Sequence, residues 1–298
     1  MRLAWLGMMS AGKTTVNMRR FPGRECKLNT FSYPSDAAPV ARLSSRDRIL
    51  IWCCLIAIVA LSWAYLLYLD HQMSSTMKQD TMMTQMGMPM EMPWASADIF
   101  FTFMMWVVMM VGMMAGSAAP VMLLFAGVHA RRGGRRIPLI VLIFGLGYVI
   151  VWIGFSACAT LAQWALHDTA MLSPAMAASS SQVGGALLCV AGVYQLTPFK
   201  RACLTHCQSP LGFLMTRWRD GKLGALQMGM HHGAYCLGCC WALMGVLFVV
   251  GVMNLVWVAI LALFIILEKN GPAGIVVART AGAGLIVAGV LLLVGVAS

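Results

Sequence analysis

Charge is scarce in this sequence. Of 298 residues only 10% are Asp, Glu, Lys or Arg, and Asp plus Glu number 10. Too few charges are present to solvate a large globular domain, so a large water-soluble catalytic domain is excluded. Also missing are a Gly-rich dinucleotide fingerprint, a pair of carboxylates within an apolar stretch, and a Ser, His and Asp arrangement that would activate a nucleophile. An enzyme is therefore not expected. The apolar runs are continuous, without the polar alternation of a strand that faces a lumen, which disfavours a β-barrel. What is abundant is apolar surface: 60% of residues are hydrophobic and the mean hydropathy is +0.79.

A hydrocarbon layer about 30 Å thick takes about 20 apolar residues of helix. Uncharged stretches of about that length run over 50–69, 99–124, 137–161, 184–199, 233–250, 252–267 and 274–296. They predict an all-α, polytopic membrane helix bundle with about seven transmembrane helices. The fifth and sixth stretches are separated only at Gly251 to Asn254, where a tight hairpin is expected. With the N-terminus in the cytoplasm, every Lys and Arg except Lys78 falls on the cytoplasmic side. That bias predicts a cytoplasmic N-terminus and an outside C-terminus. It also accounts for the net charge of +11 without a nucleic-acid partner, and the lipid bilayer is the expected surrounding.

Residues 1–48 are basic and contain Pro22, Pro34 and Pro39. They lack the apolar periodicity of a packed domain and read as a disordered cytoplasmic leader, with the transmembrane domain over 49–298. Within the leader, Gly7 to Thr14 satisfies the pattern of a phosphate-binding loop. That loop functions only between a strand and a helix of an α/β domain, and this context supplies neither, so no nucleotide is expected.

Sulfur is in excess, with 26 Met and 10 Cys. The densest group is His231, His232, Cys236, Cys239 and Cys240 at the expected cytoplasmic start of the fifth span. On a helix, His232, Cys236, Cys239 and Cys240 fall at i, i+4, i+7 and i+8, which puts one imidazole and three thiols on one stripe. Soft and borderline ligands of this kind suit Cu(I) and also Zn(II), whereas Mg(II) and Ca(II) call for carboxylates. Cysteines in membrane helices also serve as small apolar residues, which is the alternative use. Cys203 and Cys207 stand at i and i+4 around His206 in the expected cytoplasmic loop 200–231. They could complete the same site and pass a metal to the first group; the alternative is a pair of reduced loop cysteines. Cys26, Cys53, Cys54, Cys158 and Cys189 have no partner at ligand spacing and are assigned to packing.

Methionines crowd the expected outer loop 71–93, notably Met82, Met83, Met86, Met88, Met90 and Met92. Thioethers select Cu(I), and they neither protonate nor pair as disulfides. Copper recruitment is the preferred account; an interfacial segment on lipid or a Met-rich surface for a partner are the alternatives. In the second span Met105, Met109 and Met113 recur at i+4 steps. A stripe at this spacing is usually core, and it also fits a relay of exchangeable thioether sites. Glu268 beside Lys269 is expected to mark the membrane interface.

The run His232-Gly233-Ala234-Tyr235-Cys236-Leu237-Gly238-Cys239-Cys240-Trp241, with Pro210, Trp218, Gly251-Val252-Met253-Asn254, Glu268-Lys269 and the Met-rich second span with Pro120, resembles a bacterial family of predicted metal-binding integral membrane proteins, some of them copper chaperones. The resemblance covers about residues 50–298. It implies a metal-binding protein of the bacterial cytoplasmic membrane without supplying a mechanism. The expected function is Cu(I) binding and delivery to a partner metalloprotein. The rival expectations are a membrane thiol–disulfide carrier built on Cys236, Cys239 and Cys240, and a structural subunit of a membrane complex.

Overall fold

The structure, a computed structural model, describes residues 43–85, 96–134, 136–168, 180–271 and 273–295. The phosphate-loop match and nearly all of the expected leader lie outside the described residues, as do Met86, Met88, Met90 and Met92; Met82 and Met83 are described in backbone only.

The described chain is all-α. In order it forms α1 (Ser45–Gln85), α2 (Ser96–Arg131), α3 (Ile137–Asp168), α4 (Ser181–Leu196), α5 (Pro198–Gln208), α6 (Pro210–Arg217), α7 (Gly221–Gly245), α8 (Leu247–Val250), α9 (Leu255–Asn270) and α10 (Gly274–Leu293). Five segments are long and apolar enough to cross a membrane: 45–73, α2, α3, 221–250 and α10; α4 is shorter but also apolar. Their outward faces are apolar, with Leu61, Leu142, Val193 and Val276 all more than half exposed. In water such a surface would aggregate, and lipid is its matching solvent.

Three boundaries differ from the sequence expectation. First, α1 continues to Gln85, so the first part of segment 71–93 is helix. Residues 71–85 contain no Gly or Pro, and the breakers arrive only at Gly87 and Pro89. Second, segment 200–231 is not a loop. Thr197 caps α5 with its hydroxyl accepting from Lys200 N, while Pro198 and Pro210 open α5 and α6. A proline whose missing N–H would be unpaired anyway fits the first turn of a helix. Third, the fifth apolar helix begins at Gly221 rather than Gly233, which places the Cys/His run well inside the helix and not at its start. The break at 251–254 is present, with Gly251 at φ +96° and Asn254 capping α9 by accepting from Trp257 N. The chain reverses there: Lys269, near the end of α9, returns to the level of Cys236 on α7.

The largest helix interfaces are α4 with α10, α3 with α7, α2 with α3, α1 with α2 and α5 with α7. Glycines set the two closest. Gly185 faces Gly289 and Gly192 faces Gly282, where an added Cβ would lie 2.8 and 2.7 Å from the opposing carbonyls. Small residues let backbones approach in lipid, where van der Waals packing replaces the hydrophobic drive between helices. On α7, Gly229 abuts the Phe144 carbonyl and Gly233 the Val151 side chain, while Gly147 on α3 abuts the Leu226 carbonyl. This contact brings Tyr148 of α3 against the sulfur-bearing face of α7.

Candidate metal centre

Cys236, Cys239 and Cys240 are all buried on the inner face of α7. Their backbone spacing gathers them, and local bonding holds them: Cys239 Sγ and Cys240 Sγ donate to the Cys236 carbonyl at 3.1 and 2.9 Å. Such bonds back to i−3 and i−4 carbonyls are the usual resting state of small polar side chains in helices. From α5, Cys203 and Cys207 face the same wall. Cys203 Sγ would sit 2.9 Å from a Cβ placed on Gly238, so the absence of a side chain there makes room for it. Cys207 lies beside Cys239. The neighbouring Cys239 sulfur, with burial added, holds the Cys207 thiol well above its ordinary pKa, and burial also pushes the Cys203 thiol up.

Two groups not anticipated from sequence complete the setting. Tyr148 Oη lies 2.9 Å from Cys236 Sγ. Lys269 Nζ donates to Cys236 Sγ at 2.8 Å and stands 3.7 Å from both Cys240 Sγ and Met114 Sδ. Beside it, Lys200 Nζ and Glu268 Oε1 form an ion pair at 2.6 Å. Glu268 and Lys269 are thus buried in the bundle. The physical reason is pairing: a buried charge is tolerated where opposite charge or hydrogen-bonding partners replace water. The sequence signal was an acid and a base closing an apolar segment, which marks a functional candidate as readily as an interface anchor.

The structure therefore brings together Cys203, Cys207, Cys236, Cys239 and Cys240. His232 is buried on the same helix, its ring stacked near Tyr148 and Phe144 with centroids 5.8 and 6.3 Å away. His231 is exposed and held by the Gln227 carbonyl. His206 is exposed, bonded to the Ala202 carbonyl and stacked on Tyr235 at 4.5 Å. Met105, Met109 and Met113 are deeply buried in α2, with Met110 and Met114, as part of the main core.

Among the described residues no group of three or more His, Cys, Asp and Glu side chains is arranged to hold a metal ion. The donor chemistry nevertheless suits a soft ion. Four thiols, of Cys207, Cys236, Cys239 and Cys240, gather in a sulfur-rich setting without a carboxylate among them. Ligation requires the α7 thiols to rotate off the Cys236 carbonyl, a staggered rotamer change that one side chain can make. Thiolates and thioethers select Cu(I) over hard cations, and Zn(II) shares the thiolate preference.

No curated protein and no solved structure matches the chain. The PpoB2 copper chaperone family matches residues 103–292, which span every helix that supplies a side chain to this sulfur cluster. On that match, covering well over half of the sequence, the chain belongs to the PpoB2 copper chaperone family.

Proposed function

We propose that this protein binds Cu(I) at the thiols of Cys207, Cys236, Cys239 and Cys240 inside the membrane and hands it to a partner metalloprotein. The observation that carries the reading is the convergence of α5 and α7 thiols, which are separated by about thirty residues in sequence, with Cys203 packed on Gly238 and Cys207 beside Cys239. Transfer by ligand exchange suits a chain of neighbouring thiols, because an incoming sulfur can bind before a departing one leaves. On this reading Cys203 and Cys207 on α5 are the exchange side and the α7 thiols the holding side.

The threading proposed with it has seven crossings, the N-terminus in the cytoplasm, α5–α6 at the cytoplasmic face, and the methionines of 71–93 outside, in a bacterial cytoplasmic membrane. The basic residues on α5, α6 and the α2–α3 connection support that orientation. The outer methionines would then meet copper first.

The test is elemental analysis of detergent-purified protein after anaerobic Cu(I) loading. Copper bound by wild type and lost in the Cys236/Cys239/Cys240 triple serine variant is expected. Equal copper in both would sink the assignment. The Cys207–Cys239 contact also favours a second reading, a dithiol that forms a disulfide in electron transfer. A protein that takes up no copper but traps a mixed disulfide with a thioredoxin-like partner would favour that one.

A further inference from the structure

Lys269 has an unusual set of neighbours. Its ammonium has three N–H donors and no acceptor, and the groups in reach are three sulfurs: Cys236 Sγ at 2.8 Å, Cys240 Sγ at 3.7 Å and Met114 Sδ at 3.7 Å. The residue is buried. A buried lysine ordinarily sits on a carboxylate. Here the adjacent carboxylate of Glu268 is committed to Lys200 through Oε1, so the fold leaves the Lys269 cation on sulfur.

Two cysteine sulfurs and one thioether around a single positive charge also describe a three-coordinate site for a soft monovalent ion. Resting on the copper-binding reading above, we infer that Cys236, Cys240 and Met114 form a trigonal Cu(I) position at the inner end of that thiol chain, and that Lys269 Nζ is the tethered cation that fills it until the metal displaces it. Met114 is the ligand this adds, from a helix that contributes no cysteine.

The geometry allows the exchange. Metal–thiolate bonds run about 2.3 Å, so the two farther sulfurs close in by up to about 1.4 Å when the ammonium leaves. Cys240 and Met114 reach that by side-chain rotation, and Met is the most adaptable of apolar side chains. The two cysteines bind as thiolates, and any thiol protons still present leave to solvent. The neighbouring residue offers the departing ammonium an acceptor, because Glu268 Oε2 has no hydrogen-bond partner among the described residues.

The claim separates a competitor from a compensating charge. If Lys269 competes with copper, replacing it with an apolar residue that carries no sulfur tightens binding. If it merely neutralises the bound complex, the same change loosens binding. The experiment is anaerobic Cu(I) competition against a chromophoric chelator in detergent, on wild type, Lys269→Leu and Met114→Leu, with copper-edge X-ray absorption on each loaded protein. Lys269→Leu, which adds no sulfur, is expected to bind about tenfold tighter or more. Met114→Leu is expected to bind more weakly, with the sulfur count at copper falling from three to two.

Lys269→Leu binding no tighter than wild type, or Met114→Leu retaining three sulfurs, overturns the inference. Should Lys269→Leu fail to fold, the Met114→Leu spectrum decides alone. Wild type that holds no copper refutes the proposed function and this inference together, whereas wild type that holds copper with either negative result refutes only this one.

Discussion

Lys200 Nζ lies 2.6 Å from Glu268 Oε1, with the two side chains 1% and 2% exposed, and this pair ties α5 to α9. It fixes where Cys203 and Cys207 sit, since they follow Lys200 on the same short helix. Removing one partner of a buried ion pair leaves an uncompensated charge and costs about 3–5 kcal/mol, whereas replacing both by apolar groups is often neutral. Lys200→Met alone should therefore lower the melting temperature of the detergent-purified protein sharply. Lys200→Met with Glu268→Leu should recover most of the loss, and a double variant no more stable than the single one would contradict this account.

The α4–α10 contact makes a second stability prediction. At Gly192 a Cβ would lie 2.7 Å from the Gly282 carbonyl, which is backbone and cannot give way. Gly192→Leu should force the helices apart and destabilise the protein by about 1–3 kcal/mol. Gly284→Ala, on the same α10 but facing open space, should change the melting point little. Equal melting points for the two variants would show that this interface does not control stability.

Much of this architecture was legible in the sequence because its cause is local. Continuous apolar runs give the helices, and the Gly251–Asn254 break gives the reversal into α9. The i, i+4, i+7, i+8 spacing gives the thiol face of α7. What stayed hidden depends on pairing. Glu268 and Lys269 look like interface residues until Lys200 and Cys236, far away in sequence, are found beside them. Tyr148 carried no signal, because its role follows from the glycine contacts between α3 and α7. The segment 200–231 reads as a loop by hydropathy, yet its two prolines and Thr197 are helix-start signals that could have revealed α5 and α6.

The methionine stripe of α2 can be separated from the copper site by substitution. Met105, Met109 and Met113 are buried among core side chains, and Leu replaces Met at nearly constant volume for less than about 1.5 kcal/mol. Each Met→Leu variant should keep wild-type copper stoichiometry and melt within a few degrees of wild type. Loss of bound copper in any of the three would instead assign that thioether to a metal path.

Cys207 distinguishes a site confined to α7 from one shared with α5. Its thiol meets Cys239 across the α5–α7 interface, so a copper ion held between the helices needs it, whereas an ion held by Cys236 and Cys240 alone does not. Serine keeps the size and a hydrogen-bonding group but is a hard, poor ligand for Cu(I). Cys207→Ser should therefore leave the fold intact and weaken Cu(I) binding by about tenfold in anaerobic chelator competition. Cys158→Ser, which alters an exposed thiol on α3, should bind like wild type. If Cys207→Ser also binds like wild type, α5 supplies no ligand and the exchange route through it is lost, while a metal site on α7 alone would still stand.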